Sequence, residues 1–138
     1  MREIRTAVIQ AGGKGTRLKE LTKDEIPKPL IKIAGKSILK WQIENLKSYG
    51  VEKIIIIVGY LGDEIKRCFG NGEKLGVSIE YIEESEPLGS GGSLYLLKEA
   101  DIDDDFILIY GDVMFNLNWN RMEDFHLQNK AYATLLVH

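Results

Sequence analysis

A single cysteine, Cys68, in 138 residues excludes a disulfide within the chain. Two histidines, His126 and His138, stand without partners at metal-ligand spacing, and no Ser-His-Asp arrangement is legible. His126 is therefore expected on a helix surface, and Cys68 as a packing residue. No apolar run approaches the roughly 20 residues of a membrane span. There is no basic excess either. The formal net charge is −3 and the lysines and arginines are interleaved with acids, so the basic face that general nucleic-acid binding needs is missing. Met1-Arg2-Glu3-Ile4-Arg5 runs straight into a strand pattern, without the apolar stretch and small-residue cleavage site of a signal peptide. Together these absences point to a reducing cytoplasm, with neither nucleic acid nor membrane as partner.

What is present is an alternation of apolar patterns. Thr6-Ala7-Val8-Ile9-Gln10 is a short buried-strand pattern ended by Ala11-Gly12-Gly13. Residues 37–49 carry Ile38, Trp41, Ile43, Leu46 and Tyr49 at helical spacing, with Ser37 as N-cap and Gly50 as stop. Ile54-Ile55-Ile56-Ile57-Val58 is a continuous β-branched run, which fits a strand covered on both faces. Helices are expected over 62–69, 90–100 and 121–129, and strands over 77–82, 106–110 and 132–137. Strand–helix alternation predicts one α/β domain over 1–138, with a mostly parallel sheet and helices on both faces. Ligands in such sheets bind beyond the carboxyl ends of the strands. The informative loops are then 11–18, 83–92 and 111–116.

The first of these, Gly12-Gly13-Lys14-Gly15-Thr16-Arg17, combines three glycines with two cations. Glycines allow a tight turn and a close backbone approach, backbone N–H groups can cradle phosphate oxygens, and arginine can grip phosphate with two parallel hydrogen bonds. A plain strand-to-helix turn is the bland alternative. The dinucleotide fingerprint fails at Leu18, and a P-loop ending in Gly35-Lys36-Ser37 fails at Leu30, so the latter tripeptide reads as a turn and helix cap. Pro27-Lys28-Pro29-Leu30 sets a lysine in a stiff segment, or leaves it exposed in a loop. Asp112 follows the apolar strand pattern 106–110, where a carboxylate can hold Mg²⁺ beside phosphates or merely cap a turn. The run Asp101, Asp103, Asp104, Asp105 precedes that strand, at the opposite end of the sheet, and reads as a solvated loop. The loop Glu83-Glu84-Ser85-Glu86-Pro87-Leu88-Gly89 is either a base-recognition loop or a charged turn.

The order of these pieces resembles the signature of nucleotidyltransferases acting on sugar 1-phosphates. It runs from Ala11-Gly12-Gly13-Lys14-Gly15-Thr16-Arg17-Leu18 through Pro27-Lys28-Pro29-Leu30 and Gly35-Lys36. Gly50-Val51, Val58-Gly59-Tyr60, Glu86-Pro87-Leu88-Gly89 and Gly111-Asp112 extend it over essentially the whole chain. The resemblance implies a Rossmann-like three-layer sandwich. It implies that the loop of Gly12, Gly13, Lys14, Gly15, Thr16 and Arg17 wraps a nucleoside triphosphate, with Arg17 on the β/γ-phosphates. Lys28 would neutralise charge near the α-phosphate and the incoming sugar 1-phosphate, and Asp112 would hold Mg²⁺. Gln10, Ala11 and Glu84 would lie by the base, and Gly89 near the nucleoside. Glu20 and Gly89-Ser90-Gly91-Gly92 are mild departures from the family pattern.

The 83–84 glutamates can accept from guanine N1–H and N2–H₂, and the loop is similar to that of mannose- and heptose-1-phosphate guanylyltransferases, so GTP is the favoured donor. A uridylyl-, thymidylyl- or cytidylyltransferase (including one using phosphocholine) is the alternative, and a non-catalytic sugar-nucleotide-binding module a further one. The oligomeric state is left open, with a homo-oligomer allowed. The chain stops at His138, at the end of an expected strand. Family members run longer, so part of the functional enzyme, including a second metal-binding Asp and most of the sugar pocket, is expected outside these residues. Arg17→Ala or Lys28→Ala is expected to abolish transfer in the full-length enzyme and to leave its circular dichroism unchanged; near-normal turnover in both variants would refute the assigned roles.

Overall fold

The computed structural model describes residues 4–13, 26–59, 61–102 and 105–137. Four strands form the main sheet: β1 (Thr6–Ala11), β4 (Lys53–Val58), β5 (Ser78–Glu83) and β6 (Ile107–Tyr110), in the order β5-β4-β1-β6 and all parallel. Between β1 and β4 lie a two-stranded antiparallel ribbon, β2 (Lys32–Ile33) with β3 (Lys36–Ser37), and helix α1 (Ile38–Ser48). Helix α2 (Gly62–Phe69) follows β4, α3 (Gly89–Tyr95) follows β5 and continues as a 3₁₀ turn over Leu96–Glu99, and α4 (Trp119–Gln128) follows β6.

The central strands β1 and β4 read as nearly continuous apolar runs because both of their faces are covered, whereas β5 and β6 at the sheet edges alternate buried and exposed positions. Alternate residues serve different cores. Ala7, Ile9 and Ala11 of β1 and Ile54, Ile56 and Val58 of β4 point toward Leu39, Ile43 and Leu46 of α1, Ile65 of α2 and Trp119 of α4. Val8, Ile55 and Ile57 point to the other face, against Leu97 and the half-buried Leu94 and Leu96. That arrangement is the expected three-layer α/β sandwich.

Local signals place the helices. Ser37 caps α1 by accepting from Lys40 N at 3.2 Å, and Asn118 caps α4 by accepting from Arg121 N at 3.2 Å. Trp119 donates from Nε1 to Asn45 Oδ1 at 2.9 Å and meets Phe115 edge to face with ring centroids 5.4 Å apart, which seats α4 against α1. Gly35, at φ 82°, makes the turn of the β2–β3 ribbon.

Three expectations need correction. Residues 132–137 form no strand; Tyr132, Leu135 and Val137 are exposed, and the segment pairs with no described strand. A β-favouring composition describes fit to a half-buried pleated surface, and without a neighbouring strand there is none to fit. Cys68 is exposed, because the buried stripe of α2 runs through Gly62 and Ile65 and leaves it off that face. His126 is half-buried instead of lying on an open helix surface: Nδ1 is 2.9 Å from Thr134 Oγ1 and Nε2 is 3.5 Å from Asp105 Oδ1.

The centre of the sheet carries the stability. Ile56 is fully buried, so Ile56→Ala is expected to cost about 2–5 kcal/mol. It should lower the urea midpoint without changing the denaturant slope, and a loss under about 1 kcal/mol would contradict this packing.

Candidate active site

Four parallel strands end at the same edge of the sheet, so the loops after β1, β4, β5 and β6 converge there. The chain adds β4 and then β5 on one side of β1 before β6 returns to the other. The strand order therefore reverses at β1, the position where α/β sheets open a crevice for ligands. A cleft of about 430 Å³ lies there, with Gln10, Ala11, Gly12 and Gly13 from the end of β1 and Tyr110 and Asp112 from the end of β6 on its walls. Lys28, Pro29, Glu84 and Gly89 complete much of the lining.

Small residues make the convergence close. A Cβ on Gly59 would stand 2.9 Å from the Gly12 carbonyl oxygen. One on Gly12 would run into the Glu84 carboxylate, and one on Gly111 would meet Pro29 Cγ at 3.2 Å and Ala11 Cβ at 3.3 Å. The β1, β4, β5 and β6 loops thus touch through glycine backbone where side chains would hold them apart. The ladders continue past the strand ends: Gly111 N donates to Gln10 O at 2.9 Å, and Glu84 N to Val58 O at 2.8 Å.

The stiff Pro27-Lys28-Pro29 segment is a 3₁₀ turn over Lys28–Leu30, in which Leu30 N donates to Pro27 O at 2.9 Å and Pro29 is buried. Its contact surface includes Gly111, so Lys28 is carried to Asp112, and the ammonium lies 3.4 Å from Asp112 Oδ2. The Lys28 side chain is 20% exposed and that of Asp112 39%. A pair this accessible contributes at most about 1 kcal/mol. Both charges are therefore free to take new partners at little cost. Residues 84 apart in sequence, one with a loop-lysine alternative and one with a turn-cap alternative, share one wall of one cleft.

Two glutamates of the β5 loop part company. Glu84 faces the cleft, with Oε1 accepting from Leu88 N at 2.7 Å and Oε2 against Gly12. Glu83 lies outside it and is bound by Lys66, whose hydrogen bond and charge hold its carboxyl below the usual carboxylate range. Gly89 takes φ 73° at the start of α3, a left-handed conformation open to glycine. Lys14, Gly15, Thr16 and Arg17 lie outside the described residues.

Two further polar residues were not legible as site residues. Ser93 is 4% exposed and lines the cleft; its hydroxyl accepts from Gln10 Nε2, which also donates to Ser90 O at 2.8 Å. Gln42 is 4% exposed on α1 and donates from Nε2 to both Tyr110 O and Val113 O at 2.7 Å. The signal for Gln42 was its place in the apolar stripe Ile38, Leu39, Gln42, Ile43, Leu46, where a polar residue is out of pattern. Among the described residues no group of three His, Cys, Asp or Glu side chains is arranged to hold a metal. A lone carboxylate still suits Mg²⁺, which commonly takes one or two carboxylates and completes its shell with water and substrate phosphates. Among the described residues no helix is long and apolar enough to cross a membrane.

The comparison that decides the family is a match of residues 6–138 to the model described as "Nucleotidyl transferase". The chain belongs to the nucleotidyl transferase family. It is 36% identical over 129 residues to the mannose-1-phosphate guanylyltransferase of Mycobacterium tuberculosis, covering 94% of this chain and 36% of that protein. It is 38% identical over 131 residues to the UTP–glucose-1-phosphate uridylyltransferase AglF of Haloferax volcanii, covering 95% of this chain and 53% of that one. The solved structure of HddC from Yersinia pseudotuberculosis complexed with GMP-PN superposes with a TM-score of 0.79 at 34% identity, over 90% of this chain and 55% of that chain. The chain thus spans from about a third to about half of the length of these relatives. Family membership and the sheet architecture agree with the resemblance drawn from the glycine loop and the Pro-Lys-Pro segment.

The glycine contacts differ enough to be told apart. Gly59→Ala forces a Cβ against backbone and is expected to destabilise this nucleotidyl transferase fold by about 1–3 kcal/mol. Gly13→Ala, whose new Cβ meets no atom of the described residues within 4 Å beyond its chain neighbours, should stay within about 0.5 kcal/mol. Equal losses in denaturant titrations of the two variants would refute the close approach at Gly59.

Proposed function

We propose that this chain is the nucleotide-binding part of an enzyme that transfers a nucleoside monophosphate from a triphosphate, GTP in the favoured reading, to a sugar 1-phosphate. The observation that carries the reading is the juxtaposition of Lys28 and Asp112 at 3.4 Å on the wall of a glycine-lined cleft. A phosphate oxygen of the sugar 1-phosphate attacks the α-phosphorus in line. The new P–O bond forms as the bond from the α-phosphorus to the bridging oxygen breaks, and that electron pair leaves with pyrophosphate. Such a transfer calls for positioning and charge stabilisation more than acid–base chemistry, which accords with a cleft whose lining, among the described residues, offers lysine, aspartate and glycine backbone and no histidine.

Lys28 approaches the α-phosphate and the incoming phosphate as a cation, drawing charge from both. Asp112 would hold Mg²⁺, which when bound neutralises phosphate charge. Gly12 and Gly13 admit the phosphates to close range, and Arg17 takes the β- and γ-phosphates. Gln10, Ala11, Glu84 and Gly89 surround the nucleoside. Guanine is favoured because Glu84 reaches the cleft with one oxygen, Oε2, not engaged by Leu88, and a carboxylate suits the adjacent N1–H and N2–H₂ donors of guanine. A guanylyltransferase among the relatives supports that reading. The uridylyltransferase relative, at 38% identity, favours UTP as the second reading. The single cysteine accords with a cytoplasmic setting.

Calorimetry of GTP, dTTP, UTP, CTP and ATP, with and without Mg²⁺, tests the base and the metal together. GTP is expected to bind most tightly and to gain affinity with Mg²⁺, and Asp112→Asn to remove the Mg²⁺ gain while preserving metal-free binding. Selective binding of UTP would move the assignment to the uridylyl reading, and no binding of any triphosphate would defeat the nucleotide reading for this chain.

A further inference from the structure

Gln42 sits where the α1 stripe calls for an apolar side chain, and it is 4% exposed. Its single amide nitrogen donates to Tyr110 O and to Val113 O, each at 2.7 Å. These two carbonyls bracket Gly111-Asp112. The amide therefore closes the loop that leaves β6 and holds it to α1, whose Leu39, Ile43 and Leu46 are fully buried in the core. Among the described residues no donor pairs with Gln42 Oε1, which is buried. A buried acceptor left unpaired costs on the order of 1–3 kcal/mol, so stability alone gives little reason for a glutamine at this place; a methionine would fill similar space without the orphaned oxygen.

Among the described residues the loop that Gln42 closes has few other restraints. Asp112, Val113 and Met114 are exposed. Gly111 is tied through its N–H to Gln10 O, and the Asp112 carboxylate has its ion pair with Lys28 at 3.4 Å. An exposed pair of that length does not hold a backbone in place. Two short hydrogen bonds from a rigid, buried arm do, because their loss would leave two carbonyls to find new partners.

We propose that Gln42 is the positioning residue of the metal site: by bridging the carbonyls of Tyr110 and Val113 it fixes the direction in which Asp112 presents its carboxylate to a divalent cation. The inference rests on the reading of Asp112 as the metal-holding residue and adds the residue that aims it. Gln42 itself is not among the residues that line the cleft and acts on it through the loop backbone. Its effect belongs to the supporting groups around a metal ligand, whose loss typically costs about 10- to 100-fold in metal affinity.

The test uses Mn²⁺ as a paramagnetic stand-in for Mg²⁺, titrated with GTP present, and follows broadening of the amide resonances of residues 111–113. Wild type, Asp112→Asn and Gln42→Met are compared, with Gln42→Asn as a second variant that keeps the amide but draws it back by one methylene. Amide hydrogen exchange is recorded on each without metal. Wild type should broaden, Asp112→Asn should not, and both Gln42 variants should need about 10- to 100-fold more Mn²⁺. Exchange in those variants should rise at 111–114 and stay unchanged in β1 and β4. Broadening in Gln42→Met and Gln42→Asn at the wild-type Mn²⁺ concentration, with Asp112→Asn silent, overturns the role of Gln42 alone. Faster exchange throughout β1 and β4 shows a general packing role and overturns it too. A wild type without broadening, or an Asp112→Asn variant that still broadens, overturns the metal reading of Asp112 and the inference with it.

Discussion

The parallel pairing of β1 on both sides is the constraint from which the rest of the structure follows. Its register against β4 and β6 sends the three chains out of the sheet at the same edge, and β5 joins them through β4. A central parallel strand must be covered on both faces, which is why Ala7, Ile9 and Ala11 serve one core while Val8 serves the other. The same requirement keeps charged side chains out of the body of β1 and β4, whereas β5, at the sheet edge, carries the exposed Glu80 mid-strand. Beyond the strand ends, Lys28, Glu84 and Asp112 gather on the wall of the cleft.

Within the cleft, energy and geometry have different sources. Hydrophobic burial beneath the cleft supplies the stability. The Lys28–Asp112 pair adds little, being partly exposed, yet it marks the place where a cation and an anion stand ready for other partners. Close approach comes from residues without side chains: Gly12 against Gly59 and Gly111 against Pro29. Direction comes from buried amides. Gln10 ties the end of β1 to α3 through Ser90 and Ser93, and Gln42 ties the loop after β6 to α1. Each leaves its own amide oxygen without a partner among the described residues, the pattern of groups placed for the shape of a site more than for stability.

The alternation of strands and helices was legible because each element carries its own period and its own stops. Ser37 as a cap, the isoleucine run of β4 and the glycines after β1 are local signals, and the structure bears each out. Expectations failed where a residue's surroundings come from distant chain. The 132–137 segment has strand composition without a strand beside it. Cys68 falls just off the buried stripe of its helix. His126 meets Thr134 and Asp105, neither of which its helix predicts. Glu83 and Glu84 are neighbours of identical chemistry, and only the sheet decides that one faces Lys66 and the other the cleft.

The sequence by itself determined the α/β class, the loops that leave the carboxyl edge of the sheet and the family, because hydrophobic period, glycine and proline placement act over a few residues and leave a local record. Tertiary structure alone decided which polar groups meet. Lys28 reaches Asp112 because Pro29 packs where Gly111 leaves room. Gln42 reaches the loop after β6 because α1 crosses the sheet beside it. Those contacts join residues 84, 68 and 71 positions apart, and no periodicity within a single element can encode a distance between two elements that only the packed sheet brings together.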